Sequence, residues 1–125
     1  MREIPLMQHF QHAATMQLPH VRLFRREILK TVIEGRWVKA GITGQCDLYG
    51  VVRGGLHVEV ETKAIGGRLS PEQKTWREWC QRGDVPHLLL TVAKGEEPEA
   101  TVQRWVEELR QLVTTWPTAT PGEQP

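Results

Sequence analysis

Between residues 47 and 63 the chain sets acids and bases at spacings that chemistry can use. His57-Val58-Glu59-Val60-Glu61-Thr62-Lys63 alternates ionisable with apolar or small side chains. Read as a β-strand, the alternation sends Leu56, Val58, Val60 and Thr62 to one face, mainly into a core. It sends His57, Glu59, Glu61 and Lys63 to the other. Four ionisable groups in a row are costly if buried and unpaired, so that face either meets solvent or builds a site. Asp47 precedes this strand across Arg53-Gly54-Gly55, a hairpin turn by composition. Pairing about Gly54 sets Asp47 opposite Glu61. Two adjacent carboxylates repel, and a hard divalent cation such as Mg²⁺ or Mn²⁺ is the usual counter-charge. Lys63 would sit beside it, where an ammonium can orient a water or stabilise charge building on a scissile phosphate. Asp47, Glu61 and Lys63 thus form a minimal kit for metal-assisted phosphodiester hydrolysis. Gln73 is near enough in sequence to reach it, in the first turn of a helix whose N-terminus favours anions.

The rest of the chain must position that kit. Residues 3–17 read as a helix, with Ile4, Met7, Phe10, Ala14 and Leu18 recurring every three or four positions. Val21 to Arg25 alternates apolar and basic, as an edge strand does. Residues 26–41 fit a short helix or a strand, with a Glu34-Gly35 turn and an extended stretch after it. Gly41 to Gly44 is a loop signal. Residues 46–52 and 56–63 read as strands. Ser70-Pro71-Glu72-Gln73 starts a helix, with Ser70 as cap, Pro71 at the first helical position and Gln73 closing a capping box; it runs to Gly83. Residues 86–93 form a buried-type strand. Residues 98–115 form an amphipathic helix, with Val102, Trp105, Val106, Leu109, Leu112 and Val113 on one stripe. This order predicts a mixed α/β domain, a small central sheet flanked by helices, over residues 1–116. Residues 117–125 read as a flexible tail.

At 125 residues the chain has room for one core. Its longest apolar runs, such as 88–92, are far short of a membrane helix. The start of the chain does not resemble a signal peptide. Cys46 and Cys80 are too few for a disulfide scaffold. The expectation is a reduced, cytoplasmic setting. Net charge is +1, but residues 1–94 hold fourteen Lys/Arg against nine Asp/Glu, and residues 95–125 two against six. A near-neutral total therefore hides a basic region.

The stretches Gly44-Gln45-Cys46-Asp47-Leu48-Tyr49-Gly50, His57-Val58-Glu59-Val60-Glu61-Thr62-Lys63 and Gly66-Gly67-Arg68-Leu69-Ser70-Pro71-Glu72-Gln73 resemble the VRR-NUC nucleases of the PD-(D/E)XK class. The similar pattern there is Gly-x-x-Asp-Leu, an apolar strand ending Glu-x-Lys, a Gly-Arg-Leu-Ser linker and a Glu-Gln opening a helix. Cys46 stands where many relatives have Pro or Ala. The resemblance implies a restriction-endonuclease-like core. It assigns Asp47 and Glu61 as metal ligands, Lys63 as the catalytic lysine and Gln73 as the glutamine near the site. It adds the Thr62 carbonyl as a ligand and Glu3 as the best match to a first-helix acid that completes the metal site. It further implies an endonuclease using Mg²⁺ or Mn²⁺. Small stand-alone members, mostly from phages, look like homodimeric Holliday-junction resolvases, which suits recognition of DNA shape over sequence. Arg22, Arg25, Arg26, Lys39, Arg68 and Lys74 are then candidate phosphate contacts. Alternatives are a nuclease for flaps, nicks or other branched DNA, and a DNA-binding protein that does not cut.

Other residues have simpler expectations. Glu59 is read as a group supporting the site, and His57 as an exposed strand residue. His9 and His12 lack a third soft ligand and are read as surface. Trp76 and Trp79 could stack on bases, but core packing is expected of at least one. Cys46 is read as a small packing residue, since no nucleophile logic surrounds it. The helix over 98–115 is expected to pack on the sheet, with a dimer surface as the alternative.

Overall fold

A computed structural model describes the backbone over residues 3–26, 30–33, 35–39 and 44–116, and the side chains over 5–26, 35–36 and 44–116. Helix α1 (Glu3–Gln17) leads through Pro19 into β1 (Val21–Arg25). A separate two-stranded sheet follows, β2 (Lys30–Ile33) antiparallel to β3 (Arg36–Lys39). Strands β4 (Leu48–Val52) and β5 (Leu56–Lys63) come next, then α2 (Pro71–Arg82), β6 (His87–Thr91) and α3 (Pro98–Thr115). The main sheet has the order β1-β4-β5-β6. Its first three strands are antiparallel, whereas β6 runs parallel to β5. A parallel neighbour needs a crossover, and α2 supplies it.

The described chain is therefore α/β, with a four-stranded mixed sheet and three helices. The ambiguous segment after β1 contains two strands over 30–39, paired Lys30 with Lys39 and Ile33 with Arg36. The tail over 117–125, the loop over 41–43 and Ile28-Leu29 lie outside the described residues.

One face of the sheet carries the core. Leu23, Leu48, Val58, Val60 and Leu90 meet Met7, Phe10 and Ala14 of α1 and Trp105, Val106 and Leu109 of α3, all buried. Phe10 and Trp105 meet edge to face at 5.6 Å, and the Trp105 indole N–H donates to the Thr91 carbonyl at 2.9 Å. Hence α3 packs on α1 and on β6 through Val102, Trp105, Val106, Leu109 and Val113 of the predicted stripe, without Leu112. Gly50 is required by that packing: a Cβ there would lie 2.8 Å from both Leu23 and Val58. On the opposite face, α2 lies against β6. Among the described residues no helix is long and apolar enough to cross a membrane.

The start of α3 lacks a side-chain cap from Glu97. The preceding residue, Glu96, organises this corner instead. It accepts from the Thr101 hydroxyl at 2.7 Å and from Arg104 Nη2 at 2.8 Å. Hydrogen bonds from Arg104, then from Thr101, pull its carboxyl down to about 2 from its ordinary 4.5. A depressed carboxylate stabilises the fold above its unfolded pKa and loses that contribution as pH falls through the folded value. The stability difference between wild type and Glu96→Gln, followed by thermal melts, should be full above about pH 4.5 and shrink towards pH 2.

Candidate active site

The β4–β5 ladder fixes the site. Leu48 pairs with Val60, so one further step sets Asp47 opposite Glu61, the register the turn predicts. The Asp47 backbone N–H donates to Glu61 Oε2 at 3.2 Å. Glu61 Oε1 accepts from Gln73 Nε2 at 2.8 Å and lies 3.5 Å from Lys63 Nζ. Asp47, Glu61, Lys63 and Gln73 therefore converge, as their spacing anticipates.

Gln73 links the site to its helix. Its backbone N–H donates to Ser70 Oγ at 3.1 Å, and its Oε1 accepts from the Ser70 N–H at 2.8 Å, completing the capping box. With the amide oxygen committed to the cap, the amide nitrogen must face Glu61. Gly44 lets the chain before Asp47 reach this helix start. Its φ is +92°, and a Cβ would lie 2.3 Å from the Glu72 carbonyl oxygen. No side chain other than hydrogen fits both demands.

Glu61 is 2% exposed. Burial, and next the charge of Asp47, push its carboxyl up to about 7, against the Asp47 N–H and Lys63, which favour the ionised form. One ammonium thus leaves the pair under-compensated, and carboxylate oxygens are the hard ligands that a divalent cation takes. Among the described residues, no three His, Cys, Asp or Glu side chains gather where they could hold a metal ion. Glu3 opens α1, but its side chain, like that of Lys39, lies outside the described residues. The next turn of α1 does reach β5, where the Thr62 hydroxyl donates to Met7 Sδ at 3.8 Å.

The strand's other acid is buried more deeply than a surface row would allow. Glu59 is 1% exposed. Arg26 grips it with Nη1 to Oε1 at 2.8 Å and Nη2 to Oε2 at 2.9 Å. The Trp76 indole N–H donates to Oε1 at 3.0 Å, and His57 Nε2 lies 2.5 Å from Oε2. Burial acts to raise this carboxyl, but the bonds from Arg26, His57 and Trp76 outweigh it and hold it below the usual range. Arg26 Nη1 also donates to the Cys46 carbonyl at 2.8 Å, and its backbone N–H to the Asp47 carbonyl at 2.7 Å. Arg26 therefore straps the Cys46-Asp47 segment to β5.

That role corrects the expectation of Arg26 as a phosphate contact: its side chain is 15% exposed and its fork is filled by Glu59. The signal available in the sequence was Glu59 itself, an acid between two core-strand valines that needs a buried cation. Of the other basic residues, Arg22, Arg25, Arg68 and Lys74 are exposed. Trp76 and Trp79 stack on each other at 5.1 Å, with Trp79 largely exposed. Cys46 is buried, its Sγ 3.2 Å from His87 Nε2. Burial pushes this thiol well up and the His87 imidazole down, so the pair is neutral packing and no thiolate nucleophile. His9 and His12 are exposed on α1, beside a 640 Å³ recess.

Comparison with protein-family models, with curated proteins and with solved structures returns no match for this chain.

The strap can be tested directly. Arg26→Ala strands a buried carboxylate and should cost ~3 kcal/mol in urea unfolding. Adding Glu59→Gln should recover part of that loss. A single variant as stable as wild type would show that the ion pair does not hold Asp47 in place.

Proposed function

We propose that the protein is a metal-dependent, structure-selective DNA endonuclease with a restriction-endonuclease-like core of the VRR-NUC type, acting on four-way junctions as a homodimer. The observation that carries this reading is the meeting of Asp47 and Glu61 across β4 and β5, with Lys63 Nζ 3.5 Å from Glu61 Oε1. Asp47, Glu61 and the Thr62 carbonyl would hold Mg²⁺ or Mn²⁺, and the resemblance adds Glu3 as the candidate third acid. The cation, when bound, supplies the positive charge that draws electron density from the scissile phosphate.

The chain's own residues do the rest. Lys63 orients the attacking water and offsets charge growing on the phosphate oxygens as the P–O bond to the leaving group lengthens. Gln73 holds Glu61 in one rotamer through its amide nitrogen. The N-terminus of α2, whose first turn carries Gln73, favours an approaching phosphate. Arg22, Arg25, Arg68 and Lys74 are the exposed cations that would contact the DNA backbone, and Lys39 is the further candidate. A two-fold dimer would supply two such sites for the two cuts that a symmetric junction needs.

Cleavage of a synthetic four-way junction, beside linear duplex, flap and nicked substrates of matched sequence, tests the reading. Wild type with Mg²⁺ should cut the junction preferentially and stop with EDTA. Asp47→Ala and Lys63→Ala should each lose at least ~100-fold in rate while melting close to wild type. Preferential cutting of flaps or nicks would move the substrate assignment. Full activity in either variant would reject the site.

A further inference from the structure

We propose that the open face of the sheet beside this site is a stacking platform for unpaired DNA bases, built on a ladder of Phe24, Tyr49 and His57 and an adjoining cationic recess. The choice of DNA as ligand rests on the nuclease reading; the ring ladder itself rests on residues other than Asp47, Glu61, Lys63 and Gln73.

The ladder follows from strand register. Phe24 of β1 and Tyr49 of β4 are cross-strand partners, and their rings stack with centroids 5.3 Å apart and planes 23° apart. Tyr49 stacks in turn on His57 of β5 at 5.8 Å and 16°. Arg26 lies 4.8 Å over the Tyr49 ring. The inner end of the ladder is thus closed by the Arg26–Glu59–His57 cluster. The outer end is Phe24, on the edge strand and 45% exposed. The core on the other sheet face does not use this ring, so its exposure is a standing hydrophobic cost. A flat ring adding to the open end would extend the stack and remove that cost.

The chemistry beside Phe24 selects what kind of ring. A shallow recess of about 420 Å³ adjoins it, lined by Pro19, His20, Arg22, Phe24, Val51 and Arg53, with no carboxylate. Arg22 Nη1 donates to the Pro19 and Val21 carbonyls at 3.0 and 2.9 Å, which pre-sets its guanidinium. Aromatic rings beside fixed cations are the combination that holds single-stranded nucleic acid, bases stacked and phosphates paired. An acidic peptide would satisfy the cations but leave the ring ladder unextended. Tyr49 is two residues along the chain from Asp47, ~7 Å, which sets the ladder beside the proposed cutting site. The platform would therefore favour substrates with unpaired nucleotides next to the cut.

Fluorescence anisotropy without divalent metal tests this, using a short oligodeoxythymidine and an abasic oligomer of equal length. Wild type should bind the thymidine oligomer ~10-fold more tightly than the abasic one. Phe24→Ala and Phe24→Leu should lose that preference, Phe24→Trp should keep it, and Arg22→Ala should weaken both oligomers alike. Unchanged thymidine affinity in Phe24→Ala would overturn the proposal. So would a change from dimer to monomer by sedimentation with DNA affinity intact, which would mark the face as a contact between copies. Binding is read here without cleavage, so the two readings fail separately. No thymidine preference in a wild type that still cleaves removes the platform alone, and a wild type that prefers thymidine but does not cleave removes the nuclease alone.

Discussion

A carboxylate taken out of water must be matched by hydrogen bonds and opposite charge, and β5 buries two of them, Glu59 and Glu61, on one face two residues apart. The surroundings treat the two differently. Glu59 is fully compensated by Arg26, His57 and Trp76, and its carboxyl stays below the usual range. Glu61 has Gln73, one backbone N–H and a lysine at 3.5 Å, while Asp47 adds a like charge, and its carboxyl rises to about 7. The first acid is a structural anchor. The second is held in a state that additional positive charge would relieve.

The two acids are coupled through the backbone. Arg26, fixed by Glu59, holds the Cys46 carbonyl, and its own N–H holds the Asp47 carbonyl. Gly44 brings the same segment against the start of α2. From the helix side, the capping box fixes Gln73, whose free amide end reaches Glu61. Asp47 and Glu61 are thus located by two independent braces, one from Arg26 just after β1 and one from α2. This arrangement uses secondary-structure termini to position both acids.

Much of this was legible in the sequence because local rules determined it. The Gly54 hairpin fixed the β4–β5 register, and hence the meeting of Asp47 with Glu61. Ser70-Pro71-Glu72-Gln73 announced α2, and the apolar stripe of 98–115 announced the face of α3 that meets Phe10. The missing parts depended on long-range pairing. Alternation put Glu59 on the ionisable face and left open whether solvent or a site meets it; α2 crosses back and covers part of that face. Arg26, thirty-three residues from Glu59, read as one more surface cation in a basic stretch. Phe24 looked like an alternating strand residue; only the antiparallel β1–β4 pairing stacks it on Tyr49. The segment over 30–39 has too short a pattern to separate helix from hairpin, and pairing of Lys30 with Lys39 decides for the hairpin.

The central claim is that Asp47 and Glu61 together make a divalent-cation site. Calorimetric titration of Mn²⁺ into wild type and Asp47→Asn at neutral pH addresses it without DNA or turnover. The account predicts saturable binding in wild type that is lost or strongly weakened in the variant, with both proteins equally folded. Identical isotherms for the two proteins, or no saturable binding by wild type, would contradict it.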